Sequence, residues 1–326
     1  MKPRGIAGRA SESISVVVPV YNGAATLPAL IDRLRAVLGQ LARPYEIVLI
    51  NDGSRDTSWA TIESLAVRYP EITGIDLMRN YGQHNALLCG IKRSRYEVIV
   101  TLDDDLQQPP EEIPRLLTML DEGFDVVYGT PKQEQHGLLR NLSSRVTKAA
   151  LGTATSASVA SMVSAFRAFR ASVKPAFEMH RSPLLSIDVL LTWATTSFAS
   201  VPVRHEPRRA GVSNYRIRSL VRHTMNMMTG YSLLPLQLAT MIGFLFTLFG
   251  ILVLVFVVGR YLIVGETVAG FPFLASIIAI FSGAQLFALG IIGEYLGRMH
   301  LRMMERPPYI VRAATYVRTA AQSEQA

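Results

Sequence analysis

Residues 97–110 read Glu-Val-Ile-Val-Thr-Leu-Asp-Asp-Asp-Leu-Gln-Gln-Pro-Pro, a β-branched run that stops on three consecutive carboxylates. The run has the length and composition of a buried strand. Carboxylates set directly after such a strand repel one another, and that repulsion needs a cation or solvent to offset it. If the chain stays extended through the triplet, Asp103 and Asp105 point to the same side. Two oxygen donors so placed suit a hard divalent ion, Mg²⁺ or Mn²⁺, which in turn neutralises a diphosphate. Asp103 and Asp105 are therefore the candidate catalytic and metal-binding residues.

Working outward, the same strand-then-turn pattern recurs. Residues 14–20 form a β-branched run ending in Pro19 and then Asn22-Gly23, and residues 46–50 lead into Asn51-Asp52-Gly53-Ser54. Between them Leu27, Leu30, Ile31, Leu34, Val37, Leu38 and Leu41 recur at three and four residues, which predicts a helix with one apolar face. Further helices are expected over 57–68, 83–92 and 111–120, with strands near Ile75 and over 125–129. Strands alternating with helices predict an α/β domain with a mainly parallel sheet covered on both faces. Ligands of such sheets bind beyond the carboxyl ends of the strands, so the turns after Val20, Ile50 and Leu102 should converge on one crevice.

The chain has 326 residues, 49% hydrophobic and 18% charged, with a formal net charge of +8. Charge is absent over 232–259 and again over 267–293, each longer than the roughly 20 residues a helix needs to cross a bilayer. Arg216, Arg218, Arg222 and His223 precede the pair and Arg298, His300, Arg302 and Arg306 follow it. The positive-inside bias puts both flanks, and hence both termini, in the cytoplasm. The basic balance suits an anionic partner, and two membrane spans exclude the nucleic-acid reading of it. Single Cys89 lies among apolar neighbours and rules out an intrachain disulfide. These features divide the chain into a flexible basic tail at 1–12, a catalytic domain at 13–215, an amphipathic juxtamembrane helix at 216–231, two spans within 232–298 and a cytoplasmic tail at 299–326, flexible beyond Val311. A second amphipathic helix is expected over 137–150.

Val18-Pro19-Val20-Tyr21-Asn22, Asn51-Asp52-Gly53-Ser54 and Asp103-Asp104-Asp105 resemble, in order and strand context, the family 2 glycosyltransferases of the GT-A fold. Arg79-Asn80-Tyr81-Gly82-Gln83-His84-Asn85, Gly293-Glu294-Tyr295-Leu296-Gly297-Arg298 and Arg306-Pro307-Pro308-Tyr309 are similar to segments of the polyprenyl-phosphate glycosyltransferases within that family. The resemblance covers residues 13–312. It implies a membrane enzyme of cell-envelope biogenesis that moves a sugar from a nucleotide, chiefly UDP, to a polyprenyl phosphate with inversion. It further implies Pro19, Tyr21, Asp52 and Asp103 for the nucleotide, Asp103, Asp105 and Gln107 around a Mg²⁺ or Mn²⁺ ion, and Arg79 and His84 as substrate contacts. Relatives with this helix pair form tetramers, which implies a homo-oligomer.

An acceptor phosphate at the crevice mouth accounts for the cations Lys132, Arg140, Arg145, Arg208 and Arg209. Residues 208–215 resemble the family's Arg-x-x-Gly-x-Ser-Lys-Tyr loop, which adds Ser213 and Asn214 to the acceptor and diphosphate set, with Asn214 in place of the lysine. Gly23 likewise stands where many relatives have an acidic residue, and Ala165 where some have an aspartate. Two readings compete: a polysaccharide-extending transferase of the same fold, and a catalytically silent membrane scaffold. The first lacks its Gln-x-x-Arg-Trp motif here, since Trp occurs only at Trp59 and Trp193; the second predicts a damaged site, yet Asp52, Asp103 and Asp105 are all present.

Overall fold

The computed structural model describes residues 12–131, 159, 162–178, 185–206, 234–264 and 270–315. The expected amphipathic segments at 137–150 and 216–231 lie outside these, as do Lys132, Arg140, Arg145, Arg208, Arg209, Ser213 and Asn214.

The β-branched runs form the strands they predict: β1 (Ile14–Val20), β2 (Tyr45–Asn51), β3 (Ile72–Leu77), β4 (Val98–Thr101) and β5 (Val126–Pro131). Between them lie α1 (Leu27–Gln40), α2 (Ser58–Arg68), α3 (Gln83–Arg93) and α4 (Ile113–Asp121). The helix expected from residue 111 begins instead as a short 3-10 turn, Pro110–Glu112, and becomes α-helical at Ile113. Pro114 is the reason, because proline lacks an N–H and is tolerated only in a helix's first turn.

Later in the chain come β6 (Arg167–Arg170), β7 (Phe198–Val203) and β8 (Val311–Ala314). Among the described residues the eight strands run in the order β7-β5-β6-β4-β1-β2-β3-β8. β1 pairs in parallel with both β2 and β4, and β2 with β3. β6 is antiparallel to both β4 and β5, β7 is parallel to β5, and β8 is antiparallel to β3. The fold is thus GT-A-like, α/β with a mainly parallel sheet.

Alternation along β1 serves both faces: Val16, Val18 and Val20 pack with the α1 stripe Leu27, Leu30, Ile31 and Leu34, while Val17 packs with α3 residues Leu87, Leu88 and Ile91. Two short helices, α5 (Pro175–Glu178) and α6 (Ile187–Ala194), add Phe177, Ile187 and Leu190 to the α3 face. Cys89 sits fully buried in that layer, and burial pushes its thiol up to about 11.

The two apolar stretches form α7 (Leu234–Val264) and α8 (Phe271–Met303), both long and apolar enough to cross a membrane. α8 outruns its uncharged stretch by ten residues, carrying Glu294 and Arg298 as an i,i+4 pair at 2.6 Å. Phe246 meets Phe281 edge-on at 5.8 Å between the helices, and Gly250 also faces Phe281. Gly243, Gly283 and Gly290 face open space.

One expectation is overturned. The tail beyond Val311 is not flexible at its start: Val311–Ala314 adds the strand that closes the β3 edge of the sheet. Its register is held because Thr315 and Gly74 exchange hydrogen bonds, N–H to carbonyl at 2.9 Å and Gly74 N–H to the Thr315 hydroxyl at 2.8 Å.

Candidate active site

Three strands end side by side at the crevice, because the register aligns Val20 of β1 with Asn51 of β2 and Asn51 with Asp76 of β3. The polar turns that follow them, with the acidic turn after β4, line a cavity of about 270 Å³ formed by Pro19, Val20, Tyr21, Asp52, Asn80, Gly82, Gln83, Asp103, Asp104 and Asp105.

Asp52 is almost fully buried, and its two oxygens accept the backbone N–H groups of Tyr81 and Gly82 at 2.7 and 2.9 Å. Burial pushes its carboxyl above the ordinary aspartate value, and the two N–H groups and the charge of Arg79 pull in the other direction without cancelling it. Gly53, at φ +62°, lets this turn approach the backbone of Arg79 and Asn80: a Cβ there would lie 2.5 Å from both. Arg79 lies over the Tyr81 ring at 4.3 Å.

The acidic turn departs from the extended form that would align Asp103 and Asp105. A turn begins at Asp104, and Leu106 takes φ +61° with its side chain buried. Each carboxylate consequently has its own partners. Asp103 accepts from the Gln83 side-chain amide at 2.6 Å, Asp104 from the N–H of Tyr21 at 3.2 Å, and Asp105 from the N–H of Gln107 at 3.1 Å. Gln108 fixes the first of these residues from behind, its Oε1 accepting the Asp103 N–H at 3.0 Å. Asp104 was not among the predicted site residues, nor were Asn80, Gln83 and Gln108. Asp104 shares its space with Gly23, where a side chain would begin 2.3 Å from the Asp104 Oδ2.

Gln107 is not part of the cavity wall; its carbonyl accepts from Glu206 N–H at 2.9 Å, joining the acidic turn to the segment after β7. His84 is also off the wall, with Nδ1 accepting from Ile187 N–H at 3.4 Å at the start of α6. Asp188 is structural: it is buried with Arg167 in an ion pair and accepts from the Tyr128 hydroxyl at 3.0 Å. Among the described residues no three His, Cys, Asp or Glu side chains gather as a metal cage. The all-oxygen set on the wall nonetheless suits a hard cation that takes its remaining ligands from a diphosphate.

Comparison with known proteins bears on this arrangement. The family described as Glycosyl transferase family 2 matches residues 15–173. A Shewanella sediminis protein named undecaprenyl-phosphate 4-deoxy-4-formamido-L-arabinose transferase is 37% identical over 302 residues, covering 91% of each chain. The chain belongs to glycosyltransferase family 2. Within family 2 it falls in the polyprenyl-phosphate group: a Pseudomonas aeruginosa protein of the same name is 35% identical over 314 residues, 95% of this chain and 91% of the other. A mycobacterial protein of known crystal structure shares the fold, with a TM-score of 0.50 at 17% identity, over 68% of this chain and 74% of that one. The family 2 match runs from β1 through the 3-10 turn after β6, and so contains every residue of the cavity wall.

Proposed function

We propose that the protein transfers a sugar from a uridine nucleotide to an undecaprenyl-type polyprenyl phosphate, with inversion at the anomeric carbon. The observation that carries this reading is the meeting of Pro19, Tyr21, Asp52, Asp103 and Asp105 on one cavity wall at the carboxyl ends of the parallel strands. The relatives' names supply the acceptor class.

Pro19, Tyr21 and Asp52 hold the nucleoside, the half-exposed Tyr21 ring offering a face to the base. Asp103 and Asp105 would hold Mg²⁺ or Mn²⁺, which when bound neutralises charge on the departing nucleoside diphosphate. The acceptor is a phosphate monoester with a second pKa near about 6, so it is largely a dianion at neutral pH and needs little help from a base. Positioning then dominates, and Ala165 in place of an aspartate is compatible with it. Lys132, Arg140, Arg145, Arg208, Ser213 and Asn214 gather the acceptor phosphate, and Arg79 contacts substrate.

The helix pair α7 and α8 anchors the enzyme as a multi-pass protein of the inner membrane, with the catalytic domain (13–215), the juxtamembrane segment (216–231) and both termini on the cytoplasmic side. Large apolar side chains along both helices, Leu252, Phe256 and Phe287 among them, are exposed in the single chain, which fits lipid and neighbouring copies in a homo-oligomer.

The test is incubation of purified protein in detergent with undecaprenyl phosphate, Mg²⁺ or Mn²⁺ and a panel of nucleotide sugars, with glycolipid read by mass spectrometry. A glycosyl phospholipid formed only with metal is expected, and Asp105→Ala should abolish it with the fold intact. Unchanged turnover in Asp105→Ala would remove that residue from the mechanism.

A further inference from the structure

β8 reaches the catalytic sheet immediately after the second long helix: only residues 304–310 separate Met303 from Val311. The short connection docks firmly. Tyr309 packs against the apolar layer that contains buried Cys89, and Met78 N–H donates to the Ile310 carbonyl at 2.9 Å. Arg312 then makes a contact that sheet pairing does not require. Its Nη2 donates to the carbonyl of Met78 at 2.6 Å, and its Nη1 lies 3.4 Å from Oδ2 of Asp76.

Asp76 is a carboxylate only 4% exposed in the sheet, and its other oxygen accepts from Nδ2 of Asn51 at 2.7 Å. Asn51 thereby has its two ends assigned: with Nδ2 committed to Asp76, Oδ1 is the end that accepts Ser54 N–H, at 3.3 Å. The Ser54 hydroxyl in turn accepts Asn22 N–H at 3.0 Å, and Asn22 Oδ1 accepts Arg55 N–H at 2.8 Å. A continuous polar chain therefore runs from β8 through two buried side chains to both turns that carry Tyr21 and Asp52.

We infer that Arg312 is a positioning residue of the donor-nucleotide site, acting through Asp76 and Asn51 on the turns at 21–23 and 51–54. The inference rests on the donor reading given above. Without Arg312, the buried Asp76 carboxylate faces a single amide donor, a state that favours rotation out of the row. That rotation releases the Asn51 amide, and a flipped amide presents NH₂ to the Ser54 N–H, donor against donor.

The experiment is titration of UDP and of GDP, each with Mg²⁺, into full-length protein in detergent by calorimetry, with thermal unfolding in parallel. Arg312→Ala should weaken nucleotide binding by about tenfold, as expected for losing a hydrogen bond to a charged group. Arg312→Lys should recover part of it by restoring the charge without the fork. Thr315→Val removes a different contact of the same strand, the one to Gly74, and should leave affinity unchanged. Wild-type affinity in a folded Arg312→Ala protein overturns the inference, as does equal weakening in Thr315→Val, which would mean general support from β8. If Arg312→Ala does not fold, Arg312→Gln, which keeps the stem and a donor but loses the charge, is expected to show a smaller loss in the same direction; wild-type affinity there overturns the inference too. Wild-type protein that binds neither nucleotide would overturn the donor reading itself and this inference with it.

Discussion

The N–H of Gly82 donates to Oδ2 of Asp52 across 30 residues of sequence and 2.9 Å of space, and the N–H of Tyr81 fills Oδ1 at 2.7 Å. This fork joins the turn after β2 to the start of α3, so one wall of the cavity is only as fixed as one carboxylate. Asp52→Asn offers a single acceptor oxygen and sets its NH₂ against the other N–H. Hydrogen bonds to charged groups are worth about 1.5–3 kcal/mol. Nucleoside diphosphate affinity should therefore fall by about ten- to a hundredfold, read by calorimetry; wild-type affinity would show that the fork is not needed.

The same carboxyl gives a pH signature. Its value in the folded protein is raised by burial, so between the unfolded and folded values the native state holds more protons. The contribution of Asp52 to stability is therefore greatest below the unfolded value, near about 3.9, and declines as pH rises through the raised native one. Melting temperature measured across that window should fall with pH more steeply in the wild type than in Asp52→Asn. Parallel curves would place the titration elsewhere.

Gly53→Ala combines a positive φ with a Cβ set 2.5 Å from the backbone of Arg79 and Asn80. Backbone strain of this kind costs on the order of 1–3 kcal/mol. Since backbone atoms cannot rotate aside, the two turns should separate, lowering both the unfolding midpoint and nucleotide affinity. A midpoint equal to that of the wild type would mean that the turn relaxes away from Arg79 and Asn80 without cost.

Asp188→Ala should lower stability without a specific effect on nucleotide binding in the protein that remains folded. It leaves Arg167 buried and unpaired between β4 and α6, a loss of about 3–5 kcal/mol for such pairs. Denaturant unfolding of the catalytic domain measures it directly, and a shift under about 1 kcal/mol would show that solvent reaches the pair.

Cys89 tests the docking of the segment after α8. Its thiol is buried and raised to about 11, so at pH 8 it should resist maleimide, and Tyr309, raised to about 12, should remain un-ionised beside it. A chain ending at Pro308 loses the tyrosine packed against the layer that buries the thiol, and labelling should accelerate by about a hundredfold as the thiol is exposed and moves toward its ordinary value of about 8.5. Equal labelling rates would mean that the segment does not cover the cysteine.

Much of the parallel half of the sheet was legible in the chain because β1, β2 and β4 are buried on both faces and read as near-continuous apolar runs. β6 was not: Arg167-Ala168-Phe169-Arg170 looks like a charged surface, yet it pairs with β4 and β5, its two buried arginines neutralised by Asp188 and Glu12. β8 was hidden in the same way, as its Arg312 and two alanines carry no period of their own and are ordered by the β3 edge. At the site, Asp52, Asp103 and Asp105 announced themselves by standing after strands. Asp104, Gln83 and Gln108 did not, since their roles depend on a turn at Asp104 that composition does not encode.

The place of β8 also sets an order of events in synthesis. Gly74 and Thr315 lie 241 residues apart, and both long helices emerge between them. At about 5–20 residues per second, β3 waits on the order of tens of seconds for its neighbour. Through that interval the edge of β3 has backbone donors and acceptors open to any other strand. Each newly made molecule thus completes its catalytic sheet only after both long helices have been made.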